Sequence, residues 1–222
     1  MIASKAKPAA LQRDTKGSIL DSAERLMAEH GIDGVSLRQI LGDAGANTAA
    51  LHYHFGSKEK LIEAILRRQG VDINLRRRGL LDAIEASGRT PTVRDVVDAL
   101  LDPMTELLDR EGEAGRRFIR FLARLQSDRT GVIQKLEKEY FPDVLGRIGK
   151  MLRAACPHLP DKERGRRITM MLDAMLQSLS NSDGMIEEWI DPWATVEVKD
   201  YVASLKDFLV GGLSAAMTGK KP

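Results

Sequence analysis

The chain has 222 residues, 34 Lys and Arg against 32 Asp and Glu, a formal net charge of +2 and one cysteine, Cys156. This length allows one or two domains with ample apolar material for a core, while the single thiol excludes an internal disulfide and, with four histidines, leaves little from which to build a zinc site. No apolar run follows the N-terminal basic residues, and the longest weakly polar run, Phe208 to Met217, is far short of the roughly 18 residues a membrane span needs, so the expectation is a cytoplasmic chain with no cofactor and no membrane partner.

Strand signals are nearly absent and apolar residues recur at helical spacing, which predicts an all-α protein. Residues 1–14, with Lys5, Lys7 and Arg13, read as a flexible basic arm. Ile19, Leu20, Ala23, Leu26 and Met27 share one face of a first helix that Gly31 ends. Val35-Ser36-Leu37-Arg38-Gln39 then has the form of a hydrophobic staple and capping box, opening a second helix that stops at Gly45. Asn47 caps a short third helix, Thr48 to His54, and Ser57 a long fourth one reaching as far as Ala86. Further helices are expected at about 91–109, with a kink at Pro103, at about 113–128 and at about 132–155, with a break at Pro142. Two more follow at about 161–187 and 196–217.

The stretch Ser36 to Phe55 carries the functional signal. Two helices of about two turns joined through Ala44-Gly45-Ala46 have the spacing of a helix-turn-helix, whose second helix lies in the DNA major groove. Leu51 and Phe55, four residues apart, face inward, which leaves Thr48, Ala49, His52 and Tyr53 outward. Such a face approaches base edges closely: Ala49 and the Thr48 methyl suit a thymine methyl, and the polar groups suit base acceptors or phosphates. Lys58, in the first turn of the fourth helix, is placed to hold a phosphate with the backbone N–H groups there.

Residues 15–66 resemble the DNA-binding domain of the tetracycline-repressor (TetR) family, through ILDSAERLMAEHGIDGVSLRQI, the Ala44-Gly45 turn and the closing HFGSKEKL. The resemblance implies a homodimeric transcriptional regulator, most often a repressor, that binds a double-stranded DNA operator and whose larger C-terminal helical domain dimerises and binds a small-molecule inducer. It also implies DNA contacts at Ser36, Arg38, Thr48, Ala49, His52, Tyr53 and Lys58. The sequence departs from the common family pattern at His52, where Tyr is usual, at Leu41 in place of Ala and at Ala46 in place of Val. The expected organisation is the arm 1–14, a helix-turn-helix domain 15–56 and a helical regulatory and dimerisation domain 57–222, joined through the helix 57–86.

In the body, Met104, Leu108, Phe118, Phe121, Leu122, Leu125, Tyr140 and Phe141 are apolar or aromatic at helical spacings, either as lining of a ligand pocket or simply as core. Arg116, Arg117, Arg120 and Arg124 lie near them and suit recognition of an acid. Met171, Met175 and Leu179, with Leu205, Phe208 and Leu209, belong to two apolar stripes, and the resemblance implies a dimer interface there. Trp189 and Trp193 read as anchors of the loop between. Arg67, Arg68 and Arg76 to Arg78 read as a solvated helix face or as long-range attraction for DNA, and Cys156 as a packed thiol.

A helical enzyme or metal carrier is the rival class. His52 and His54, two apart on a helix, point about 200° from each other and cannot share an ion. No histidine follows a Glu by three residues, and HExxH, P-loop and GxSxG patterns are absent. A DNA-binding dimer with a dry core and no ligand is the remaining alternative.

Overall fold

A computed structural model describes residues 14–127, 142–181 and 197–217. Every element among them is a helix: α1 (Thr15–His30), α2 (Leu37–Ala44), α3 (Thr48–His54), α4 (Lys58–Ala86), α5 (Val93–Glu111), α6 (Glu113–Ser127), α7 (Pro142–Ala155), α8 (Asp161–Ser180) and α9 (Val198–Ser214). Residues 1–13 of the expected arm, Tyr140, Phe141, Trp189 and Trp193 lie outside the described residues.

Short-range polar chemistry sets the helix starts in the N-terminal third. Ser36 Oγ accepts from the Gln39 N–H while Gln39 Oε1 accepts from the Ser36 N–H, which completes the capping box. Asn47 Oδ1 accepts from the Ala50 N–H at 2.9 Å, and Ser57 Oγ from the Lys60 N–H at 3.2 Å. Each cap satisfies an N–H that a helix start leaves without a partner, worth about 1 kcal/mol. Gly45 takes φ 62° to reverse the chain between α2 and α3, a left-handed conformation only glycine adopts without strain.

Pro103 does not divide its segment. It is buried within α5, which continues unbroken to Glu111, flanked by buried Leu100, Leu101, Met104 and Leu107. Packing of that whole apolar face holds the helix together across the hydrogen bond that proline cannot donate.

Among the described residues, buried side chains from every helix form one cluster. The first helix explains this continuity: α1 packs against α2, α3 and α4 and equally along α6. Around this spine α4 lies against α5, α6 against α8, and α9 against both α5 and α8. Gly115 lets α6 start close against α5, since a Cβ there would sit 2.7 Å from the Leu107 carbonyl oxygen. Cys156, directly after α7, is buried, and its thiol faces the Leu213 carbonyl at 3.7 Å. Burial pushes its pKa up, against the pull of Arg167 and Arg164.

Candidate nucleic-acid interface

Helix α3 is held by its inner side and bare on its outer side. Leu51 is 1% exposed and Phe55 closes the same face, whereas Thr48, Ala49, His52 and Tyr53 all face solvent. Tyr53 is 86% exposed, with its ring edge-on to His54 at 5.0 Å. His54 is half-buried, and among the described residues no group of His, Cys, Asp or Glu is arranged to hold a metal ion. Ser36 and Arg38 are exposed at the start of α2. The turn is braced from behind by Arg25 on α1, which meets Asp43 on α2 at 2.5 Å. Hydrogen bonds from the Ser22 hydroxyl and from Arg25 hold the Asp43 carboxyl below its ordinary pKa.

Lys58 does more than its position in the sequence suggests. It is half-buried, and its Nζ donates to the Val35 carbonyl at 2.6 Å, back across the start of α2. One of its three N–H donors ties α4 to the helix-turn-helix through this bond.

The arginines of α4 are largely committed to other helices. Arg76 bridges to Asp72 and to Glu106 on α5, and Arg78 meets Asp143 on α7 at 2.8 Å. These pairs lie at the surface, with both partners of each more than two-fifths exposed, so they link neighbouring helices weakly. Arg68 is different: its Nη2 lies 2.6 Å from Glu24 on α1, its Nη1 2.6 Å from Asp21, and Arg117 on α6 completes the set at 3.2 Å from Glu24. Glu24 is fully buried between these two guanidinium groups. Burial opposes the Arg68 charge, and the hydrogen bonds it donates to Glu24 and Asp21, with their charges, outweigh it, so its pKa rises. Sequence reasoning missed this joint.

A cavity of about 140 Å³ opens between α4, α5, α6, α7 and α8. Met104, Phe118 and Leu122 line it as expected positions for a pocket, with Leu66, Gly70, Ile73, Asn74, Arg77, Leu100, Gln126, Val144, Leu145, Leu172, Met175 and Leu176. Leu108, Phe121 and Leu125 do not: they are buried in the core away from it. None of the four α6 arginines reaches the lining either. Arg116 and Arg120 pair with Glu113, Arg117 serves the joint and Arg124 is exposed on the outer face; the cation on the wall is Arg77 of α4.

The C-terminal stripes also need correction. Met171, Met175, Leu179, Leu205 and Leu209 are buried within this one chain, because α8 and α9 turn those faces toward each other and toward α5 and α6, and Met175 lines the cavity. Only Phe208, 70% exposed, lies on the outer face, where Met170 is 66% exposed.

Two capped helices joined by a tight turn, the second with hydroxyl, imidazole and phenol groups on its outward face, seated on a helical body, define a helix-turn-helix protein. Residues 19–65 match the family model described as bacterial regulatory proteins, tetR family, and residues 98–212 match a tetracyclin repressor-like C-terminal domain. The chain belongs to the tetracycline-repressor family and is a DNA-binding transcriptional regulator. It is 26% identical over 208 residues to the HTH-type transcriptional regulator BetI of Rhizobium meliloti, covering 92% of each chain. It is 30% identical over 92 residues to the HTH-type transcriptional repressor KstR2 of Mycobacterium tuberculosis, a match spanning 41% of this chain and 38% of that one. The fold resembles that of a tetR family transcription regulator from Shewanella sp. PV-4, with a TM-score of 0.52 and 23% identity over 88% of this chain and 98% of that one. No helix among the described residues is long and apolar enough to cross a membrane.

Proposed function

We propose that the chain is a homodimeric repressor that sets two copies of α3 in successive major grooves of a near-palindromic operator and releases it when a small molecule fills the cavity. Residues 15–56 form the reading unit, and residues 57–222 dimerise and sense, with α4 common to both. Thr48, Ala49, His52 and Tyr53 read base edges, while Ser36, Arg38 and Lys58 hold phosphates. Two-fold symmetry sets the half-sites one helical turn or a multiple apart, about 34–36 Å per turn. The mycobacterial relative is a repressor, which supports this sign of regulation.

One observation carries the ligand response: α4 and α6 line the cavity and also supply the two arginines that grip Glu24 of α1. Phe118 on the wall directly follows Arg117, and Leu66 lies one turn or less from Arg68. A ligand that spreads these helices alters the seat of α1 and with it the spacing of the two α3 helices. Its effect on DNA affinity equals its differential affinity for the two arrangements. Dimerisation uses the outer faces of α8 and α9, where Met170 and Phe208 are exposed.

The test is a fluorescence-anisotropy titration of the chain against DNA from the region upstream of its own gene. The expected result is a salt-sensitive specific complex that Tyr53→Ala weakens without lowering the melting temperature, as suits a side chain this exposed. Binding that is indifferent to sequence, or unchanged by Tyr53→Ala together with Thr48→Ala, would overturn the assignment of α3 as reader.

A further inference from the structure

Every helix around the cavity turns an apolar side chain into it. Leu66 and Ile73 of α4, Met104 of α5, Phe118 of α6, Val144 of α7 and Met175 of α8 present hydrocarbon or thioether surface. Among the described lining residues no carboxylate stands on the wall, and the polar side chains there already serve the protein. Asn74 Nδ2 donates to the Gly70 carbonyl at 2.8 Å, and Gln126 Nε2 to Asp173 at 3.1 Å. Arg77 Nη2 donates to the Leu100 carbonyl at 3.2 Å, and that is not the sole interaction of this guanidinium within the protein. Leu145 is the one exposed side chain among the described lining residues, which places the mouth beside the start of α7.

We propose that this cavity takes a compact, uncharged, apolar molecule, the size of one substituted ring or a short branched hydrocarbon. The inference rests on the reading of the cavity as a small-molecule site and specifies its chemistry. An ion that enters gives up its hydration and, with the polar groups of the wall engaged inside the protein, recovers little in return. A hydrocarbon gains by the same transfer, in proportion to the area it removes from water. Water is a poor occupant of such a site, because a buried water needs several polar partners. Volume sets the size: about 140 Å³ is close to the roughly 150 Å³ of an apolar cavity that stays dry and binds benzene, and well below the roughly 300–1,000 Å³ of sites for drug-sized ligands. Met104 and Met175, unbranched and polarizable, fit their thioethers to the edge of a ring. A guest against Phe118 and Leu66 presses on α6 and α4, the helices whose Arg117 and Arg68 seat α1.

Titration of the full chain with toluene, benzoate and benzylamine, followed by NMR of isotope-labelled methionine methyl groups, tests this. Met104 and Met175 line the cavity and Met170 is exposed on the outer face, so the unaltered chain carries its own probes and reference. The two probe signals are assigned with Met104→Leu and Met175→Leu, swaps that nearly conserve volume. Toluene is expected to shift both signals and to bind at least about tenfold tighter than benzoate or benzylamine, since each charged analogue must leave its hydration behind. Benzoate or benzylamine binding as tightly as toluene, no toluene binding up to its solubility limit, or toluene binding that leaves both signals unmoved would each overturn the proposal. An operator-release assay separates the two claims. Toluene that shifts Met104 and Met175 yet leaves the DNA complex intact would refute the ligand response and keep the site. Release by benzoate or benzylamine, with toluene leaving both signals unmoved, would keep the ligand response and overturn the uncharged class.

Discussion

Glu24 Oε1 lies 3.2 Å from Arg117 Nε across 93 residues of chain, and the carboxylate is fully buried at this contact between the first helix and the body. Arg68 holds the other oxygen at 2.6 Å, so each carboxylate oxygen has its own guanidinium. A buried ion pair is weak evidence for stability in itself, but removing one partner leaves an uncompensated charge away from water. Here the geometry fixes one register of α1 against α4 and α6.

Glu24→Gln keeps the shape and leaves two arginines facing a neutral amide. The expected loss is about 3 kcal/mol, read as a lower urea midpoint at unchanged slope. Arg117→Met leaves Glu24 with Arg68 and should destabilise less, while weakening the effect of any cavity ligand on DNA affinity. Full ligand-driven release in a folded Arg117→Met chain would show that the signal does not pass through this joint.

Lys58, tethered to the Val35 carbonyl, is also the phosphate contact we propose, and salt dependence can separate the two roles. As a phosphate contact it contributes about 0.9 to the slope of log affinity against log salt, and as a tether to the Val35 carbonyl it contributes to the seating of α4 on the reader. Lys58→Ala should therefore weaken binding to all sequences alike, lower the slope by about 0.9 and reduce the melting temperature. A lower melting temperature with the slope intact would leave Lys58 as a tether only.

The reader is legible in the sequence because its determinants are local. Ser36 with Gln39, Asn47 with Ala50 and Ser57 with Lys60 each act over three residues, and Leu51 and Phe55 mark the inward face by spacing alone. The joint is not legible, since Glu24 meets partners 44 and 93 residues away and an arginine in a pair reads like an arginine in water. The same limit explains the pocket: Phe121 and Phe118 lie on one helix with similar chemistry, yet only Phe118 reaches the cavity.

Acid should loosen the start of α5. Asp95 accepts from the Thr92 N–H at 2.7 Å within the capping box, and Arg89 forks onto it at 2.5 and 2.6 Å. The hydrogen bonds from Arg89 outweigh burial and, with those from Thr92, hold the carboxyl well below its ordinary pKa. A depressed folded pKa means that this contribution is complete above the unfolded value of about 3.9 and is lost as pH falls toward the folded one. Asp95→Asn should be less stable than the unaltered chain at pH 7, and the gap in urea midpoint should narrow progressively below about pH 4. A gap that stays constant to pH 2.5 would place the effect in shape and not in charge.

Neighbouring residues on α9 should separate assembly from folding. Leu209 is 4% exposed, packed inside its own protomer, while Phe208 beside it is 70% exposed. A helix buried against its own chain and one buried against a second copy show the same apolar period, so the stripe alone cannot distinguish them. Leu209→Ala removes core volume and should lower protomer stability by about 2–5 kcal/mol. Phe208→Asp places a charge on the outer face that, with Met170, we assign to the dimer, and in a folded chain it should give monomers in sedimentation at micromolar concentration. Because binding between copies adds to apparent stability, the melting temperature of the unaltered chain should rise with concentration and that of Phe208→Asp should not. A Phe208→Asp chain that still sediments as a dimer would move the interface away from this face.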